Sequence, residues 1–289
     1  LKLVPFYYRS YPVLKYASNF YKTKPFRIPS LKEIGFESTN CFFSDRVVKN
    51  DVIRNYSAQR DFPSVNGTSQ LSLHLRFGTL SIRQLLAYAI QLNATFVNEL
   101  IWRDFYQQIL FHFPHVVKGA FNRKYDSIKW ENDEAKFTAW CEGKTGYPLV
   151  DAGMRQLNAT GYMHNRVRMV VASFLTKHLL IDWRWGEAYF AQKLLDFDLA
   201  ANNGGWQWAA GCGTDAAPYF RVFNPWSQAE EYDPKCEYIK KWVPELKDVP
   251  IKDIFKWNTE YVNYKDVKYP KPIVEYDKQR DLVLKMYSF

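Results

Sequence analysis

Apolar residues recur at helical spacing from about Asp45 onward, and few runs alternate as a half-buried strand would. Four segments carry the pattern: LSIRQLLAYAIQL, NELIWRDFYQQILFHF, YPLVDAGMRQLN and HNRVRMVVASFLTKHLL. The third starts with Pro148 at a favoured first-turn position, and the fourth is the clearest helix. One more helix is expected around Lys235 to Trp242, before a tail whose structure the pattern does not specify. The fold class is therefore all-α, and no internal repeat is visible.

On the helix beginning near Asn98, Ile101, Phe105 and Ile109 recur at four-residue spacing and predict a core stripe, whereas Glu99, Trp102, Arg103 and Tyr106 share another face. That second face reads in two ways. An exposed rim with Glu99 paired to Arg103 one turn on is the commoner explanation; a pocket wall for a flat polar ligand is the other. On the helix after His164, residues Val167, Val170, Val171, Phe174, Leu175 and Leu179 form a continuous apolar stripe. Asn165, Arg168 and Met169 sit away from it, flanked by Arg166, so the helix start offers either a phosphate site or a solvated basic face.

The segment from Asp196 to Asn224, DFDLAANNGGWQWAAGCGTDAAPYFRVFN, breaks the pattern. Two acids (Asp196, Asp198) and two amides (Asn202, Asn203) precede Gly204-Gly205, read as a turn that lets backbone approach something closely. Trp206 and Trp208 follow where a core would want aliphatics, so the segment is expected to be built around a ligand. The run NGTSQLS, from Asn66 to Ser72, offers N–H and O–H donors to phosphate oxygens, although it is not a Walker pattern and no GxGxxG is present.

With 289 residues the chain suits one large domain or one domain plus a smaller extension. Hydrophobic residues make up 47% and aromatics 18%, which excludes disorder for most of it. The net charge of +9 and pI near 9.2 predict attraction to a polyanion, though no single basic run dominates. Cys41, Cys141, Cys212 and Cys236 are scattered without CxxC or Cys/His spacing, and the five histidines show no ligand arrangement, so neither a disulfide framework nor a metal site is expected. A reducing cytosol follows as the compartment. The longest apolar stretch, from Val167, is broken by Arg168 and Lys177, which predicts a soluble, cytoplasmic chain without a membrane partner. Leu1 follows no initiator methionine, and residues 1–45 are expected to be a linker remnant ahead of a catalytic unit over 46–289.

Taken in order, NGTSQLS, NELIWRDFY, EGKTGYPLVDAGMRQLNATGYMHNRVRM, IDWRWGE and DFDLAANNGGWQWAAGCGTDAAPYFRVFNP resemble the C-terminal flavin domain of the photolyase/cryptochrome family. Among its branches they are most similar to the class I cyclobutane pyrimidine dimer photolyases, over about Tyr56 to Asn224. The resemblance implies an all-helical domain holding FAD in a bent shape, with the family's N-terminal α/β antenna domain missing and no antenna chromophore on this chain. Tyr56, Thr68, Ser69, Gln70, Leu71 and Ser72 fall where the family cradles FAD, the phosphates above all; many relatives carry arginine at the place of Gln70. Phe96, Arg103 and Arg168 fall beside the flavin, Asp196, Phe197 and Asp198 at the flavin edge and adenosine, and Asn202 opposite flavin N5. An amide at Asn202 fits repair, where resemblance to plant cryptochromes would call for an aspartate.

The same resemblance places Glu99, Trp102, Met169 and Trp208 in a pocket for a flipped pyrimidine dimer, photolyases being among the enzymes that extrude their target base. The indoles stack the dimer rings, and Glu99 meets the pyrimidine carbonyl edge. Arg60, Asn165, Arg166, Arg221 and Gln228 fall where the family meets DNA. Only His164 stands in GYMHNRVRM, which disfavours the 6-4 branch. The implied reaction is light-driven: fully reduced FADH⁻ donates an electron to the dimer, the cyclobutane ring splits and the electron returns. Trp206, Trp183 and Trp130 match the family's electron-hopping chain; on residues alone, Trp183 and Trp130 read as helix packing. The expected protein is a monomeric, dimer-repairing lyase. Two other readings are a flavin photoreceptor that signals through a partner, and a flavin-free DNA-binding module.

Overall fold

All five predicted helices form in the computed structural model, which describes residues 12–39, 43–218 and 220–287. Leu1, Cys41 and residues 1–11 and 40–42 of the expected linker lie outside the described residues. In chain order the α-helices are α1 (Asn50–Arg54), α2 (Tyr56–Gln59), α3 (Ser72–Arg76), α4 (Ile82–Ala89), α5 (Ala94–His112), α6 (Glu134–Cys141), α7 (Pro148–Thr160) and α8 (Asn165–Lys177). There follow α9 (Trp183–Lys193), α10 (Leu199–Ala210), α11 (Pro225–Tyr232), α12 (Glu237–Trp242), α13 (Ile251–Ile254), α14 (Trp257–Glu260) and α15 (Tyr276–Met286). No strand occurs among the described residues. Every described side chain from Pro12 to Thr39 is exposed.

Local chemistry explains the boundaries. Ser81 and Asn93 accept backbone N–H bonds from Gln84 and Phe96, capping α4 and α5. Pro148 opens α7 at its first turn, where the missing N–H costs nothing, and Gly161 closes it with φ 66°. The stripe predicted on α8 is buried throughout, and α7 lies close against it at Gly153, where an added Cβ would come 2.4 Å from a Val167 methyl.

The stripe predicted on α5 is not the core face. Ile101 is 46% exposed, and the positions that bury are Phe96, Val97 and Leu100. This helix carries apolar residues on all sides, so a four-residue spacing identifies a face without deciding which face meets protein.

Two main apolar cores and a small third cluster of Ile128, Leu180, Val283 and Tyr287 result among the described residues. Ile53, Leu71, Leu85, Phe96, Val97 and Leu100 join α1, α3, α4 and α5, while the larger one is built mainly on α7, α8, α9, α10 and α12. The tail that the pattern left open threads back over this second core. Tyr269 donates to the buried Asp151 carboxylate, which also accepts from the N–H groups of Thr145 and Gly146; Tyr147 donates to the Val274 carbonyl at 2.9 Å.

Lys177 ends α8 inside this packing. Its ammonium donates to the Ala210 carbonyl at 3.1 Å and lies 3.8 Å from the Tyr287 ring centre. Both contacts favour the charge, but burial outweighs them and pushes the group down to about 7 from 10.5. Between those values the unfolded chain holds a proton that the folded chain lacks, so this group makes stability rise with pH across about 7 to 10.5. Lys177→Met is expected to remove that rise in urea titrations. A wild-type-minus-variant difference that stays constant across the window would mean that Lys177 remains charged when folded.

Candidate active site

A cavity of about 530 Å³ lies between the two cores, within the size range of small-molecule sites. Leu71, Phe96 and Leu100 of the smaller core form one wall, and Ala172, Phe190, Leu194 and Trp206 of the larger one form the other. The structure brings most of the predicted site together here. Tyr56, Ser69, Ser72, Arg103, Arg168, Asp196, Phe197, Asp198 and Asn202 all line the cavity, as do Glu99, Trp102, Met169, Trp208, Arg60 and Asn165.

The segment around Gly204 is helix, not the expected turn. Asp198 caps α10 by accepting from the N–H groups of Ala200 and Ala201, and the helix runs straight through both glycines. Glycine inside a helix costs about 1 kcal/mol against alanine, and the two positions differ in what surrounds them. A Cβ on Gly204 would come 2.1 Å from the Tyr106 ring; one on Gly205 would meet nothing within 4 Å, because that face opens on the cavity. The close backbone approach foreseen from the sequence therefore exists, but through a helix face. Asn202, one turn before Trp206, gives its Nδ2 to the Glu187 carbonyl at 3.1 Å, which leaves its side-chain oxygen as an acceptor.

At one end, Arg168 places Nη2 at 3.0 and 3.1 Å from the two Asp196 oxygens, and Ser72 donates to Asp196 at 2.6 Å. Arg168 also donates to the Met163 carbonyl. At the α8 N-terminus His164 Nδ1 accepts from the Arg166 N–H, so one of the orphan donors of that helix start is already capped. Burial drives the His164 ring down to about 4, so it caps as a neutral imidazole. Asp198 accepts from Gln107 with both oxygens, at 2.8 and 2.9 Å, besides capping α10, so its carboxylate is largely committed within the protein.

The phosphate-donor loop is only partly in the wall. Ser69, Leu71 and Ser72 line the cavity, whereas Thr68 bonds the Tyr162 hydroxyl at 3.2 Å. Gln70 holds φ 52°, an uncommon conformation for a non-glycine residue, and its carbonyl accepts from Ser44. Gly67 is explained by packing, since a Cβ there would come 2.5 Å from Gln59.

At the mouth, Trp102 is 41% exposed and packs edge-on to Phe105, while Trp208 meets Phe223. Glu99 pairs with Arg60 at 2.5 Å and not with Arg103, whose guanidinium instead donates to the Leu75 carbonyl. Asn165 contacts the Met169 sulfur at 3.8 Å. Outside the cavity, Arg221 is exposed over the Phe223 ring, and Gln228 keeps a buried oxygen without a partner. Arg166 pairs with Asp61.

Of the three tryptophans expected to form a chain, Trp206 lines the cavity and packs against Trp140 and Phe190 at ring distances of 6.0 and 5.0 Å. Its ring lies on Gly186 of α9, one turn after the buried Trp183; a Cβ at Gly186 would come 2.1 Å from the indole. Trp130 stands in irregular chain, not on a helix, half-buried against Tyr287. Sequence reading missed Arg76, which donates to the Phe197 carbonyl, and also Gln107 and Asp215. Gln107 was visible as a polar residue one turn after Arg103; Arg76 and Asp215 carried no signal.

The chain belongs to the family whose model is described as the FAD binding domain of DNA photolyase, which matches residues 96–288. It is 52% identical over 244 residues to a deoxyribodipyrimidine photo-lyase of Escherichia coli, covering 81% of this chain and 52% of that protein. A namesake from Halobacterium salinarum is 44% identical over 288 residues, covering 90% and 60%. Among solved structures, a bacterial class III photolyase from Agrobacterium tumefaciens superposes with a TM-score of 0.77 at 44% identity, over 82% of this chain and 53% of that one. An archaeal photolyase from Sulfolobus tokodaii, described with two FAD molecules, gives 0.74 at 50% identity, over 80% and 52%. The chain thus spans about half the length of the curated relatives it matches. No helix among the described residues is long and apolar enough to cross a membrane, and none of their His, Cys, Asp and Glu side chains group as a metal site.

The residues present fit FAD. Gly205 leaves open the space that a Cβ would fill, Arg168 keeps its Nη1 as a donor beside the Asp196 carboxylate at one end, and Asn202 offers a fixed acceptor. Burial lifts the Tyr56 and Tyr106 hydroxyls to about 12, keeping these wall groups neutral.

Proposed function

We propose that this chain is the FAD-holding, catalytic part of a deoxyribodipyrimidine photo-lyase, which uses light to split cyclobutane pyrimidine dimers in DNA. The observation that carries this reading is the single cavity in which Asn202, the Arg168–Asp196 pair and the Glu99–Trp102–Trp208–Met169 mouth meet. Bound reduced FAD supplies the electron that light promotes. The protein's part is to hold, orient and exclude water.

Arg168, Asp196 and Ser72 fix the cofactor's polar end, and Arg103 and Phe96 flank its ring system. Asn202 presents an oxygen that accepts from an N–H, which favours a reduced flavin carrying a proton at N5 over an oxidised one. Trp102 and Trp208 offer indole faces to the extruded pyrimidines, with Met169 filling between. Glu99 accepts from a pyrimidine ring N–H and steadies the base pair as charge moves. Arg221, Asn165 and Gln228 lie towards the DNA backbone, whose nonspecific attraction follows from the +9 charge.

The test is light-dependent repair of an oligonucleotide carrying one dimer by the FAD-loaded chain. Repair in light and none in the dark is expected. Trp102→Ala should weaken binding to dimer-containing DNA by roughly 1 to 3 kcal/mol while leaving undamaged duplex almost unchanged. Flavin retention without repair by the wild-type chain would favour a photoreceptor, and equal losses on both DNAs in the variant would remove Trp102 from the pocket.

A further inference from the structure

Four charged side chains alternate in a row that begins at the cavity mouth. Glu99, which lines the cavity, takes Arg60 Nη1 at 2.5 Å; Arg60 Nε lies 4.0 Å from Asp61; and Asp61 accepts from Arg166 at 2.7 and 3.3 Å. Arg166, at the far end, does not line the cavity. Both guanidiniums rest on tyrosine faces, Arg60 over Tyr56 at 5.2 Å and Arg166 over Tyr232 at 4.1 Å. The side chains retain 33%, 22%, 34% and 17% of their exposure in the order Glu99, Arg60, Asp61, Arg166. Water reaches every member, so each pair is worth little and can give way to a competing partner. A fork that grips a carboxylate grips a phosphate with the same geometry.

We infer that Arg60, Asp61, Glu99 and Arg166 form an ion-pair exchange row that makes grip on the DNA backbone conditional on a pyrimidine pair entering the cavity, with Asp61 standing in for a phosphate in the free protein. The inference rests on the DNA reading above. On undamaged duplex nothing enters the cavity, so Glu99 keeps Arg60 and the backbone gains only Arg166, in competition with Asp61. A pyrimidine that bonds Glu99 takes away the partner of Arg60. That guanidinium then turns to a phosphate. The two events are coupled through one side chain, so each strengthens the other by the same factor. Asp61 is thereby a specificity-determining residue: it holds down the affinity of a strongly basic protein for DNA in general.

The experiment measures equilibrium binding of the FAD-loaded chain to matched duplexes with and without one cyclobutane dimer, across a range of salt concentrations. Each phosphate taken by a cation steepens the log–log salt slope by about one unit. The wild-type slope is expected to be steeper on the dimer duplex by about one unit, and Arg60→Gln should abolish the difference. Asp61→Asn should tighten binding to both duplexes by about two- to fivefold and steepen both slopes, because Arg166 no longer has to leave a carboxylate. Asp61→Glu should return both towards wild type, and unchanged melting and flavin absorbance identify the variants as folded. Parallel wild-type slopes, or an Asp61→Asn protein with unchanged affinity and slope, would overturn the row while the preference for dimers persists. A wild-type chain that does not prefer the dimer duplex at all overturns the proposed function, and the row with it.

Discussion

Replacing Trp206 with Phe is expected to slow light-driven reduction of oxidised flavin by roughly tenfold or more while the chain still folds and binds FAD. Trp206 is the one indole of the expected chain that both lines the cavity and reaches into the core, at 2% exposure. Its ring tip lies on the bare backbone of Gly186, on the same helix as Trp183, so the packing leads from the cavity towards a second buried indole. Phenylalanine keeps the aromatic contact with Phe190 but is harder to oxidise, and an added barrier of only about 1.4 kcal/mol already costs a factor of ten in rate. The stability loss should stay below the ~3 kcal/mol typical of truncating a buried aromatic to alanine. Photoreduction is followed by absorbance with an external reductant present, and repair by chemically pre-reduced protein serves as the control that should survive. An undiminished photoreduction rate would return Trp206 to packing alone, and the neighbouring Trp140 at 6.0 Å would become the first residue to examine as a bypass.

Asp196→Ala is expected to lower stability by about 1 to 2 kcal/mol and to abolish retention of FAD. The Asp196 side chain is 8% exposed and takes both Arg168 and Ser72, so its removal leaves the Arg168 guanidinium, itself 27% exposed, without its counter-charge and the Ser72 hydroxyl without its acceptor. Urea unfolding of flavin-free protein isolates the first effect, since loss of a bound ligand would itself lower apparent stability. Flavin absorbance after gel filtration reads the second. Asp196→Asn should keep the bond from Ser72 and recover part of the stability but little of the flavin. A variant with wild-type midpoint and full flavin would show that Arg168 finds another partner and that the pair does not anchor the cofactor.

The site was legible where one helix carries its own chemistry. The α8 stripe of Val167, Val170, Val171 and Phe174 is apolar on one side only, so its burial and the outward placement of Asn165 and Met169 followed from period alone. Pro148 acts within its own first turn, which is why the start of α7 was readable, whereas the caps at Ser81, Asn93 and Asp198 emerged only with the structure. Asn202, Trp206 and Trp208 were recognisable as unusual, yet their setting was misread as a turn, because two adjacent glycines are ordinary turn chemistry unless a ring such as Tyr106 occupies the place of the missing side chain.

Partners far apart in sequence are the other class of miss. The rim reading paired Glu99 with Arg103, one turn away, but Glu99 meets Arg60 across 39 residues, and Arg166 meets Asp61 across 105. Gln107 reaches Asp198 across 91. Nothing local distinguishes these from solvated charges. By itself the sequence determined the helical class, the start of α7 at Pro148 and the buried face of α8, since periodicity and first-turn chemistry are interactions of neighbours along the chain; the flavin and DNA roles came only from family resemblance. Only the tertiary structure decided which face of α5 is buried, that the glycines lie within a helix, and which carboxylate holds which arginine, because those outcomes depend on what packing brings alongside.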